Sequence, residues 1–241
     1  MDTLQYLNAP TAAQRLENLR DVLSRETRAP EKSDVFVNNH IHTTYSFSPY
    51  SPTAAVYYAR KATLPTAGIV DHDSIAGAKE FLKAGEIAGM AVTVGMECRV
   101  RMDDTPLVDR YINNTDQKGI AYMALHGVPH GQIDTLQAFF TPLREKRNAR
   151  SRKMTENINA LLQNEGIALD FDRDVLPLSQ YADGGTVTER HLIFALCQKI
   201  LSLVGNAGVA NFVRNVLRLP LVPTRLTTME RISSIVKELG Y

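Results

Sequence analysis

Four short apolar or β-rich runs, at 34–39, 66–70, 91–95 and 120–125, alternate with stretches of helical periodicity through the first half of the chain. Strands separated by helices favour pairing through right-handed crossovers, so a sheet of about four parallel strands is expected. The intervening helices are predicted near 52–62, opened by Ser51-Pro52 as cap and first turn, and over 74–89, ending near Gly89. Each run ends in similar chemistry. His40 and His42 in VFVNNHIHTTYS, His72 in TAGIVDHDS and His126 in IAYMALHGVPH lie at or near run ends, and Glu97 closes AVTVGMECRV. Ligands of parallel sheets bind beyond the carboxyl ends of the strands. Residues 40 and 42, two apart on a strand, point to one face and can reach one cation. A lone histidine at a strand end is ordinarily structural; four successive strands ending this way favour a metal centre.

His126 and His130 have the i, i+4 spacing of a helical ligand pair, but Gly127 and Pro129 argue against a helix there. His126 is therefore the expected ligand, and His130 a loop residue placed to meet substrate. Asp71 and Asp73 flank His72 and are expected to orient a ligand imidazole, which makes Asp71 a candidate catalytic group.

Around this core, Thr11-Ala-Ala-Gln14 has the form of a capping box, and Leu16, Leu19, Val22 and Leu23 continue at helical spacing, predicting a helix over 11–25. ETRAPEKS at 26–33 reads as a linker. Beyond 130 the pattern becomes helical. Thr141-Pro142 is expected to open a long basic helix that Gly166 ends, and Thr186-Val-Thr-Glu189 to cap another that runs through Leu192, Leu196 and Ile200. A helix near 207–217, a strand candidate at 219–222 and a last helix from Thr227 complete the reading. Three parts result: a helix and linker (1–33), metal-binding βα units (34–140) and a helical continuation (141–241).

The net charge of +1 gives no global attraction to nucleic acid or acidic membranes. No apolar run approaches the ~20 residues of a membrane span, and the N-terminus lacks a signal-peptide pattern. Two cysteines make no disulfide framework, so a cytoplasmic setting is expected. The run Arg144–Lys153 carries six basic residues and one acid. A solvated helix face is the usual explanation. The sharper one is a phosphate clamp over the metal centre, with Arg144, Arg147 and Arg150 on one helix face and Arg99, Arg101 and Arg190 as weaker candidates.

The segments NHIHTTYSFSPYSP, GIVDHDSIAGAKEF, VGMECRV and MALHG, taken together, resemble the PHP (polymerase and histidinol phosphatase) superfamily over about residues 35–127. The resemblance implies a distorted (β/α)7 barrel, here incomplete, with a helical C-terminal half. It also implies divalent ions (zinc, manganese or iron) and hydrolysis of phosphate esters, with a small-molecule phosphate ester or a nucleotide or oligonucleotide end as substrate. By matching position, His40, His42, His72, Glu97 and His126 would be metal ligands. The segment from Met154 also resembles a helical insertion of the nucleotide- and RNA-processing branch, in which a histidine stands at the place of His191, making it a second candidate catalytic group. Two departures matter. Family members carry an Asp shortly after the paired histidines, where this chain has Ser46-Phe47, and the closing Asp-x-His has no counterpart before Tyr241. The chain is accordingly expected to be the front part of a longer protein, its open sheet edge available to a second copy. The rival reading is a catalytically degenerate module of the same fold that binds a nucleotide or protein partner.

Overall fold

The computed structural model describes residues 2–26, 36–115 and 117–218. The strand candidate at 219–222 and the helix from Thr227 lie outside them. The chain divides into two compact units, Met1–Arg144 with Gln180–Thr186, and Glu145–Ser179 with Val187–Tyr241.

The first unit is built on a four-stranded sheet in sequence order: β1 (Asn38–Ile41), β2 (Thr66–His72), β3 (Ala91–Arg101) and β4 (Ile120–Leu125). β1, β2 and β3 pair in parallel, but β4 pairs with β3 in the antiparallel sense, which corrects the expectation of four parallel strands. The cause is the connection. A parallel return needs a crossover, usually a helix, whereas the described residues of 102–119 run through turns and bends with no helix among them. β3 runs to Arg101, six residues beyond its predicted end, because its second half is the partner of β4. On the outer edge of β4, the Asn113 amide accepts from Tyr122 N–H and donates to Tyr122 O, both at 2.8 Å, so that stretch of edge is already occupied.

Helices α1 (Thr3–Leu7), α2 (Ala12–Ser24), α3 (Pro52–Lys61) and α4 (Ala78–Ala88) pack with this sheet. α2 starts as predicted, with Thr11 and Gln14 capping each other reciprocally, and α3 begins with Ser51 Oγ accepting from Ala54 N–H at 3.1 Å. α4 starts four residues later than predicted and ends at Gly89, whose φ of 62° is the left-handed turn glycine supplies. Leu19, Val56, Ile69, Phe81 and Met96 form the core between helices and sheet. Within the helical layer, Glu80 takes two bonds from the Arg15 guanidinium, at 2.8 and 2.6 Å, and two from Thr53, tying α2, α3 and α4 together.

Helix α5 (Ile133–Leu161) begins eight residues before the predicted Thr141-Pro142 start, with Pro142 inside it. Proline usually breaks a helix interior, but Ile133, Leu136 and Phe140 are spaced to bury one face of the earlier turns, and that burial carries the helix through. In the second unit, α6 (Glu189–Asn215) is capped from Thr188 rather than Thr186, with His191, not Glu189, closing the box. From Leu192 to Val213 it holds a single charge, Lys199. By length and composition alone this helix is long and apolar enough to cross a membrane, although Gln198, Lys199 and Asn206 leave no unbroken apolar run of that length. Gly205 (φ 62°, ψ 172°) interrupts its helical course.

Candidate metal centre

Strand register brings the site together. His72 pairs with Glu97 across β2 and β3, and Glu97 pairs with Ala124 across β3 and β4, so these side chains share one face of the sheet. β1 reaches the same place through an irregularity: three steps of β1, from Asn38 to Ile41, pass two steps of β2. His40 lies in this bulge, a device that re-aims side chains beside functional sites. Gly68 makes the close approach feasible, because a Cβ there would fall 2.9 Å from Asn39 Cα. Gly95 does the same for the end of β4: a Cβ would sit 2.0 Å from Leu125 O and 3.3 Å from His126 Cα.

The result is a carboxylate ringed by imidazoles. Glu97 Oε2 lies 3.1 Å from His40 Nε2, 3.7 Å from His42 Nε2 and 3.6 Å from His72 Nδ1. The His42 and His72 rings stack with centroids 4.5 Å apart, and those of His40 and His126 are 6.4 Å apart. The donor atoms of His40, His42 and Glu97 all fall within 4.8 Å of one another. Two donors bonded to one ion at ~2.1 Å stand ~3.0–3.5 Å apart, so these spacings suit a shared divalent cation. Mixed imidazole and carboxylate donors suit zinc, manganese or iron.

Asp71 stands next to this group but is already satisfied. It is buried, and its carboxylate accepts from Thr43 N–H at 2.7 Å, Thr43 Oγ1 at 2.6 Å and the Ser46 hydroxyl. Burial raises its pKa and these bonds oppose the rise. The loop after His42 is thus pinned from below by Asp71. From the other side, Thr186 N–H donates to Tyr45 O at 2.7 Å, while Ser74 Oγ, just past His72, donates to Gly184 O at 2.8 Å. The segment Gln180–Thr186 therefore braces both ligand loops. Composition gave no hint of it beyond the Gly184-Gly185 pair, where Cβ atoms would meet neighbours at under 3.0 Å. Asp73 adopts φ 50° and donates its N–H to Glu97 O at 2.7 Å. Phe47, at the step after the paired histidines, adopts φ 90°, a left-handed conformation that costs about 1–3 kcal/mol in a bulky residue.

The remaining predicted site residues are placed as follows. His130 is exposed and opens a 3-10 turn (His130–Gln132). Arg144 is buried, donates to Gly185 O at 3.0 Å and stacks on Tyr181. In the second unit Arg147 donates to Val187 O and to Glu189, and Arg190 is exposed. His191 is buried there, its Nδ1 accepting from Thr188 N–H at 2.9 Å. An acceptor nitrogen requires the neutral ring, and burial lowers its pKa to about 4.

Residues 38–120 match the PHP domain family. Two solved structures have similar folds. One is a candidate metal-dependent phosphoesterase from Bifidobacterium adolescentis (20% identity, TM-score 0.52, covering 88% of this chain and 66% of that one). The other is an amidohydrolase from Chromobacterium violaceum with sulfate bound and no metal (21% identity, TM-score 0.51, covering 78% and 56%). The chain thus spans 66% and 56% of the lengths of these two structures, and at such identities the likeness is one of fold. No curated protein matches it. The paired histidines, Asp-His and Glu97 that this register brings to one face all lie within residues 38–120, the stretch similar to the PHP domain family.

Proposed function

We propose that the chain carries a metal-dependent phosphoesterase site in which His40, His42, His72, His126 and Glu97 hold one or more divalent ions. The observation that carries this reading is the approach of three imidazole nitrogens to one carboxylate oxygen at 3.1–3.7 Å. In the tautomer that turns its lone pair toward Glu97, each imidazole joins the carboxylate in a donor set suited to one divalent cation. A divalent ion bound there supplies polarisation of a phosphoryl oxygen and a water far more acidic than bulk.

The chain's own groups do the rest. Asp71, through Thr43 and Ser46, fixes the loop that follows His42, and the Gly184 carbonyl steadies the loop that follows His72. Mixed nitrogen and oxygen donors leave zinc, manganese and iron all suitable, and the substrate is a small phosphate ester or a nucleotide or oligonucleotide end. A cytoplasmic location belongs to the same reading. Phe47, which offers no carboxylate, favours as second reading a module that binds metal and ligand without turning it over.

Metal analysis of the purified protein, followed by hydrolysis of phosphate monoesters with added manganese, tests the proposal. Stoichiometric metal and chelator-sensitive turnover, both lost in His42→Ala, are expected. Turnover that survives loss of the metal contradicts the first reading, and metal without turnover favours the second.

A further inference from the structure

The metal-bearing face of the sheet continues beyond Glu97. Side chains alternate along a strand, so Arg99 and Arg101 follow Glu97 on its own face, opposite Tyr122 and Ile120 of β4. The two arginines differ in their commitments. Arg101 is held by Asp103 at 2.8 and 3.0 Å. Arg99 makes no ion pair among the described residues, and its Nε is buried with no hydrogen-bond partner there. Its guanidinium carbon lies 5.3 Å from the centre of the Tyr122 ring, a cation–π contact that fixes the group while leaving its N–H edges uncommitted. The residue opposite Glu97 is Ala124, which puts only a methyl group beside the carboxylate. Two residues along a strand span ~6.7 Å, a distance within reach of an arginine side chain.

We propose that Arg99 is the phosphoryl-recognition residue of the site. Its guanidinium fork donates to two non-bridging oxygens of a phosphate monoester whose remaining oxygen faces the His40–His42–Glu97 group. The inference rests on the phosphoesterase reading and names its substrate class as the phosphate monoester, since a neutral ester or amide offers no second anionic oxygen to a fork. It also transfers the clamp role from Arg144 and Arg147, whose guanidinium groups are engaged with Gly185 O, Val187 O and Glu189.

Titration of the metal-loaded full chain with inorganic phosphate tests it, using wild type, Arg99→Met and Arg99→Lys with metal content and melting temperature recorded for each. Arg99→Met keeps an apolar stem on Tyr122 and removes the fork, and Arg99→Lys keeps the charge alone. Phosphate affinity is expected to fall about 10- to 100-fold in Arg99→Met and to recover only partly in Arg99→Lys, at unchanged metal content. Equal phosphate affinity in all three proteins, or loss of metal in Arg99→Met, overturns the role of Arg99 and leaves the phosphoesterase reading standing. Wild-type metal-loaded protein that neither binds phosphate nor cleaves phosphate esters overturns both.

Discussion

Glu80 and Glu97 are both carboxylates set into the first unit, and their surroundings are opposites. Glu80 is met by the Arg15 guanidinium and by the Thr53 amide and hydroxyl, so its charge and its oxygens are answered within the protein. Glu97 is met by imidazoles at 3.1–3.7 Å, groups with the chemistry to bind a metal alongside it. A helical layer can hold an acid for its own cohesion; on the proposed reading, the sheet face holds one for an ion that arrives from outside. Asp71 lies between these cases, internally satisfied like Glu80 but placed to hold the loop that follows His42.

The contrast can be broken at either carboxylate. Glu80→Gln leaves the Arg15 charge buried without its counter-ion, and a loss of about 3–5 kcal/mol in denaturant unfolding is expected, since breaking a buried pair costs on that scale. Glu97→Gln should leave the melting temperature of the metal-free protein nearly unchanged while metal affinity, measured by titration calorimetry, falls more than about 100-fold. If the two variants exchange these phenotypes, the contrast is wrong.

A smaller effect belongs to the second unit. The His191 pKa falls to about 4 in the folded chain because burial and nearby Arg147 disfavour the cation. The unfolded chain, with a histidine pKa of ~6.5, binds the proton first, so stability is full above that value and declines as pH falls toward about 4. The decline is expected to reach about 2–3 kcal/mol, and a stability–pH profile of His191→Gln should lack that limb. The smallest change is Asp71→Asn, which turns one acceptor into a donor facing Thr43 and Ser46. It should cost about 1–3 kcal/mol and weaken metal binding less than Glu97→Gln does.

The clustering is legible where it depends on local properties, strand alternation and run ends: the structure sets His40, His42 and His72 around Glu97, with the His126 ring 6.4 Å from that of His40. The direction of β4 was not legible, because it depends on a connection whose turns carry no periodic signal. The start of α5 was missed because Pro142 is a strong local breaker that burial of Ile133 and Phe140 overrides. His191 closes a helix cap, a use of histidine that no standard capping pattern announces. Arg99 stood out only once its neighbours were known, since nothing in the sequence separates it from Arg101.

The most direct test of the central claim is a crystal structure of the protein soaked with manganese, with anomalous data to locate the ion. The account predicts an anomalous peak bonded to His40 Nε2, His42 Nε2 and Glu97 Oε2 at ~2.0–2.3 Å. A peak bound elsewhere, with these three side chains turned away from one another, would contradict it.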